Sequence, residues 1–262
     1  MAVDEVLLRR VAAGTSLPTL RLYRWAPATL SLGYGQRGGE QANLDYCLRT
    51  GIAVVRRITG GRAVLHDREV TYALVAPERF DLFPGGILGN YRVIAQVLLA
   101  TIRSFGVEAT LSAGSVKPAA SGAERSACFT APASYELLFE GRKMTGCAQK
   151  RQEGAFLQHG SIPLEMDLER LFRALDVRGS QDIRRALELL GGKIGWLNRW
   201  AAGPLSIPQV EEELIRQFSG IFRCEFVDEP LSQSEWRQAQ ELALDRYLHL
   251  DWPTRPQTQA GR

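Results

Sequence analysis

The sequence predicts an α+β fold: one domain with a mixed β-sheet flanked by helices. Three observations carry this reading. Segments rich in Val, Ile, Thr and Tyr, jointed by glycine, fill much of the chain up to residue 163. An amphipathic helical stretch interrupts them near 91–105, and helix-type patterns dominate from 167 onward. No internal repeat or long low-complexity linker divides the 262 residues, so one core can hold them.

The opening MAVDEVLLRR reads as an amphipathic helix with Val3, Leu7 and Val11 on one face. Asp4 and Glu5 stand where a secretory signal would be basic. Residues 19–36 contain two strands broken at Ala26-Pro27. Two more are expected at 52–58 and 63–76, joined by Thr59-Gly60-Gly61-Arg62. Asn90 is the expected N-cap of a helix over 91–105, which buries Val93, Ile94, Val97, Leu98, Ile102 and Phe105 and ends at Gly106. Residues 112–126 are small and polar and read as a mobile loop. Three strands follow at about 133–139, 142–149 and 155–163, then helices such as LERLFRALDV and IPQVEEELIRQFSGIF. The catalytic domain is expected to span 1–251, and residues 252–262, with nothing to bury, a disordered tail.

Composition narrows the function classes. A hydrophobic share of 45% and a charged share of 23% fit a globular protein. The net charge of +3 lacks the clustered basic stripes of a nucleic-acid binder. The apolar stretch 92–102 is interrupted by Gln96 and too short for a bilayer, so a soluble, cytoplasmic protein is expected. With no strongly apolar surface stripe left unassigned, it is expected to be a monomer. The cysteines at 47, 128, 147 and 224 form no CxxC and have no histidine at ligand spacing. Disulfides and zinc are therefore not expected, and a cysteine that matters here matters as a free thiol.

Two stretches carry candidate chemistry. In RRITGGRAVLHD (56–67) the glycines let a ligand approach bare backbone. Taken alone, a plain hairpin turn is the better reading than a cradle for a carboxyl, phosphate or acyl group. The stretch fits neither the phosphate-loop nor the dinucleotide pattern. GGILGN (85–90) precedes a helix, but no suitably spaced strand leads into it.

The second stretch is SACFTAPASYELLFEGRKMTGCAQ (126–149). A turn at Glu140-Gly141 sets Leu138 opposite Lys143 and Phe139 opposite Arg142. One face then carries Tyr135, Leu137, Phe139, Met144, Gly146 and Ala148; the other carries Glu136, Leu138, Lys143, Thr145, Cys147 and Gln149. On a continuous strand Lys143 and Cys147 lie roughly 13 Å apart, so a thiol served by Lys143 comes from elsewhere. Cys128 is available, either as a small buried hydrophobe or as a thiol entering a cleft. His66 and His159 read as hydrogen-bonded core histidines.

In series, RRITGGRAVLHD, TYALVAP, CFTAPASYELLFEGRKMTGCAQKRQ and LQHGSIPL resemble the lipoate–protein ligase and octanoyltransferase family, relatives of the biotin ligase catalytic domain. The resemblance runs to about residue 252 and implies a single biotin/lipoate-ligase-like domain. It is most similar to the family's thiol-dependent octanoyltransferases. Gly60-Gly61-Arg62 lacks the third glycine usual in ATP-using ligases, and Cys128 matches the acyl-accepting position.

The resemblance implies Cys128 as nucleophile, Lys143 as the active-site lysine, and Arg57, Gly60, Gly61, Arg62, His66, Gly146 and His159 as substrate-binding residues. It implies transfer of octanoyl from octanoyl-acyl carrier protein, through a cysteine thioester, to the acceptor lysine of lipoyl domains. Those domains belong to 2-oxoacid dehydrogenase subunits or the glycine cleavage H protein. No cofactor or metal is implied.

There are two departures from the family pattern. The chain begins at the Met-Ala-x-Asp-Glu helix, where members usually have a further strand, which reads as a shortened or mis-started product. Cys147 stands where serine is common, which leaves a second thiol near the site. Competing readings are an ATP-dependent lipoate ligase, which tolerates loss of Cys128, and a lipoyl-relay amidotransferase between lipoyl domains. A non-catalytic module that sequesters lipoyl domains would form no covalent intermediate.

Overall fold

The computed structural model describes residues 1–36, 41–112, 135–175, 183–249 and 251–253. The expected loop at 113–126 and the tail at 254–262 lie outside these residues. Among the described residues no helix is long and apolar enough to cross a membrane.

A four-stranded antiparallel sheet forms the centre, in the order β1 (Thr19–Tyr23), β5 (Glu69–Pro77), β10 (Ala155–Pro163), β9 (Gly146–Gln152). Here β5 and β10 pair from Ala155 opposite Pro77 to Pro163 opposite Glu69. Both faces of β5 are covered, which explains its unbroken apolar run. The 2-residue period sends Val70, Tyr72, Leu74 and Ala76 into one core and Ala73 and Val75 into another. The first core packs on α3 (Ile87–Ser104) and α6 (Ile207–Phe222) through Ile94, Leu98, Ile102, Leu214 and Phe218. The second packs on α1 (Ala2–Ala12) through Leu7, Leu8 and Val11.

A smaller mixed sheet sets β2 (Thr29–Leu32) between β3 (Ala53–Arg56), which runs parallel to it, and β4 (Val64–His66), which runs antiparallel. It packs on Cys47 of α2 (Leu44–Arg49), Phe172 of α4 (Leu168–Ala174) and Leu190 of α5 (Ile183–Gly191). The third sheet is β6 (Thr110–Leu111), β7 (Leu137–Phe139) and β8 (Arg142–Lys143). It has the expected turn register, Leu138 opposite Lys143 and Phe139 opposite Arg142.

Four expectations change. Segment 63–76 is two strands in two sheets, broken at Asp67-Arg68, whose charges turn outward to Arg170 and Glu165. Segment 142–149 is likewise divided: β8 belongs to the third sheet and β9 to the first. The helix expected from Asn90 starts at Ile87 with Gly86 as N-cap, and Asn90 is fully buried within it. Trp252 and Pro253, expected in the tail, are held instead: the Trp252 indole donates to the Arg56 carbonyl (3.1 Å), and Arg56 donates to the carbonyls of Trp252 (3.2 Å) and Pro253 (2.6 Å).

The acids of α1 are buried and paired, as charges in an interior must be. Asp4 accepts from Arg21 (2.7 Å) and Tyr23 (3.2 Å), and Glu5 from Arg246 (2.7 and 2.8 Å) and Tyr247 (2.6 Å). They tie the helix to β1 and to the turn after α7 (Gln233–Leu242).

Candidate active site

The central and mixed sheets meet at the β4–β5 corner, and four of the sequence-predicted site residues, Arg57, His66, Gly146 and His159, gather there. Since β2 lies between β3 and β4, the Gly60-Gly61 segment is a crossover over the end of β2, not a hairpin turn. Arg57 closes it. Its guanidinium donates to the carbonyls of Gly60 (2.9 Å) and Arg62 (2.7 Å), and to the Ser31 carbonyl and hydroxyl (both 3.0 Å). Gly33 makes the crossing possible, because a Cβ there would stand 1.9 Å from the Gly61 oxygen. Gly61 itself has φ +93°, a conformation that favours glycine. Behind this turn the buried Arg56 donates to the carbonyls of Gly33 (3.0 Å), Tyr34 (2.8 Å) and Gln36 (2.5 Å), fixing the loop on which the turn rests.

Arg57, His66, Gly146 and His159 line one pocket, together with Trp25, Ser31, Val64, Cys147 and Ala148. His66 contacts the Ser31 hydroxyl through Nε2 and Glu69 through Nδ1, each at 2.7 Å, and Trp25 stacks on its ring at 4.5 Å. His159 meets Thr59 Oγ1 at 2.6 Å. Burial holds its imidazole below the ordinary pKa, against the opposing pull of Asp4. Both histidines are thus hydrogen-bonded, as their sequence context implied, and both also face the cavity. Gly60 and Arg62 are tied to it through Arg57.

Lys143 lies beyond the pocket lining, 3% exposed, with its ammonium paired to Glu136 of the same hairpin. Its backbone is gripped on the side away from β7: its N–H donates to the Lys193 carbonyl (2.8 Å), and its carbonyl accepts from Gly195 (2.9 Å). Cys147 receives a hydrogen bond from the Tyr72 hydroxyl at 3.3 Å. The phenol reaches it across Gly160, where a Cβ would sit 2.7 Å from Tyr72 Cε1. The strand breaks at Met144-Thr145, and the Lys143 charge favours the Cys147 thiolate.

Burial nevertheless dominates and pushes the Cys147 thiol up to about 11, over the opposing effects of Tyr72 and Lys143. Burial does the same to Cys47, also to about 11, and raises Cys224. At neutral pH all three are protonated and poorly nucleophilic. Cys128, the fourth cysteine, lies outside the described residues. Among the described residues no cluster of three or more His, Cys, Asp or Glu is arranged to hold a metal.

Residues 1–219 match the model of the lipoyl protein ligase A/B catalytic domain. The chain belongs to that family. It is 36% identical to octanoyltransferase LipM of Brevibacillus brevis over 258 residues, spanning 97% of this chain and 94% of that one. It is 38% identical to octanoyltransferase LipM of Kyrpidia tusciae over 258 residues, 96% and 92% of the two chains. Among solved structures it resembles lipoate-protein ligase A bound with ATP, with a TM-score of 0.77 and 25% identity over 97% of this chain and 92% of that one. The family's fold is therefore present.

Sequence reasoning missed Ser31, Gly33, Glu69, Tyr72 and Gly160. A polar residue in the apolar strand TLSL and a glycine at that strand's end were the only local signals for the first two.

Proposed function

We propose that this protein is a thiol-dependent octanoyltransferase of lipoate biosynthesis. It takes octanoyl from octanoyl-acyl carrier protein onto Cys128 and passes it to the acceptor lysine of a lipoyl domain. The observation that carries this reading is the near full-length identity to the LipM octanoyltransferases. The reducing cytoplasm, where thiols stay free, suits the reaction.

The Cys128 thiolate attacks the donor thioester, and the tetrahedral oxyanion collapses with loss of the carrier thiol. One thioester replaces another, so no ATP is required. The acceptor amine then attacks the enzyme thioester; the amide forms, the amine sheds a proton and the Cys128 thiolate leaves. Covalent catalysis lets two large partners dock in turn. Lys143, buried and held on both sides of its strand, supplies a fixed positive charge that favours thiolate and oxyanion. Trp25, Val64 and Ala148 give the pocket apolar wall, and each buried methylene of the chain contributes about 0.8 kcal/mol.

Intact-protein mass spectrometry after mixing with octanoyl-acyl carrier protein, without ATP, tests the reading. A hydroxylamine-labile octanoyl adduct that Cys128→Ser abolishes is the expected result. Loss of the adduct in Cys147→Ser alone would move the nucleophile. An octanoyl transfer that needs ATP and survives Cys128→Ser would replace this reading with the ligase.

A further inference from the structure

Ser31, His66 and Glu69 form a connected relay that transfer through Cys128 does not use. We propose that this relay is a second nucleophilic centre, which takes the acyl group of small activated esters onto Ser31 and hydrolyses it.

The hydrogen bonds connect the three groups and anchor the carboxylate. Glu69 Oε1 accepts from Thr71 (2.5 Å) and Oε2 from Ser161 (2.6 Å). The Thr71 oxygen in turn accepts from the Trp25 indole (2.9 Å), so the Thr71 proton is committed to Glu69. Glu69 therefore acts as an acceptor toward His66 as well, and the proton of the ring lies on Nδ1. Nε2 stands 2.7 Å from Ser31 Oγ, within reach of its proton. Arg57 donates to Ser31 Oγ as well (3.0 Å). The stack of Trp25 on His66, with 13° between the planes, fixes the ring.

Nucleophile, base and orienting carboxylate thus stand within hydrogen-bond reach in the order that serine acyl chemistry needs. The Arg57 guanidinium beside Ser31 Oγ is placed to favour a developing oxyanion. These bonds also brace the two sheets against each other. A brace alone, however, needs no cavity in front of it, and Ser31 and His66 both line the pocket. Trp25, Val64 and Ala148, the wall assigned above to the octanoyl chain, surround the site with carbon, so the esters expected to react carry apolar acyl groups.

Ser31 Oγ bonds to the ester carbonyl carbon as its proton passes to His66 Nε2. The ester C–O bond breaks, and the leaving alcohol takes that proton. Water then attacks the acyl-serine, giving its proton to His66. The carboxylic acid leaves, and Ser31 recovers its proton.

A short-chain alkyl fluorophosphonate, with peptide mapping by mass spectrometry, tests this on the unaltered protein. The label is expected on Ser31, together with turnover of p-nitrophenyl butyrate. Ser31→Ala removes one hydroxyl, abolishes the label and lowers hydrolysis by about a hundredfold. Glu69→Gln slows labelling while Ser31 remains. Absence of label from Ser31, or hydrolysis unchanged in folded Ser31→Ala, overturns the proposal. The same maps read any octanoyl adduct on Cys128 separately, so failure of one centre is distinguishable from failure of the other.

Discussion

Lys143→Met is the perturbation that most directly separates stability from catalysis. Lys143 is 3% exposed, and the side chain of its partner Glu136 is 12% exposed. Removing one member of such a pair deletes their mutual attraction in a nearly dry site, at a cost of about 3 kcal/mol. With a urea m-value of about 3 kcal/mol/M, the unfolding midpoint falls by about 1 M. Glu136→Gln has an effect of similar size. The double variant loses less than the sum, because the attraction between the two is lost only once, and the coupling is about 1.5–3 kcal/mol. Catalysis follows a different pattern. The rate of acyl-adduct formation falls about 10²–10³-fold in Lys143→Met and does not recover in the double variant. Additive stability losses would refute the buried pair, and recovered acylation in the double variant would refute the catalytic role of the ammonium.

Three further outcomes follow from the geometry. Gly33→Ala drives a Cβ toward the Gly61 oxygen, 1.9 Å away as built, so the crossover must move; stability drops by about 1–3 kcal/mol, and KM for the acyl donor rises more than kcat falls. At pH 7.5, with its thiol pushed up to about 11 by burial, Cys147 reacts with iodoacetamide about 300-fold more slowly than a free cysteine; peptide mapping that finds it promptly alkylated would contradict this. Trp252→Ala removes the indole that donates to the Arg56 carbonyl. Hydrogen exchange should then accelerate at residues 33–36, which Arg56 holds, and an unchanged exchange pattern would show that the C-terminal segment does not stabilise this loop.

Much of the fold was legible because the patterns were local. The strand at 155–163 is β10 as expected, the Glu140-Gly141 turn set the register of Lys143, and the apolar positions of the long helix lie in the core. The misread boundaries share one cause. At Asp67-Arg68 the chain bends, and at Met144-Thr145 it leaves one strand for the next; in both places it changes partners, and periodicity does not record which strand lies alongside. The cap of the long helix failed because Gly86, in a left-handed conformation, begins it without a capping side chain.

The site divides in the same way. Residue types and order determined the family likeness, the candidate lysine and the Gly-Gly segment, since each is a contiguous string with its own chemistry. Only the tertiary structure decided that this segment crosses over β2 through Gly33, that Lys143 is buried against Glu136, and that Ser31, His66 and Glu69 meet at one corner. Those facts depend on the packing of one sheet against another, and the free energy of that packing resides in contacts between residues far apart in the chain.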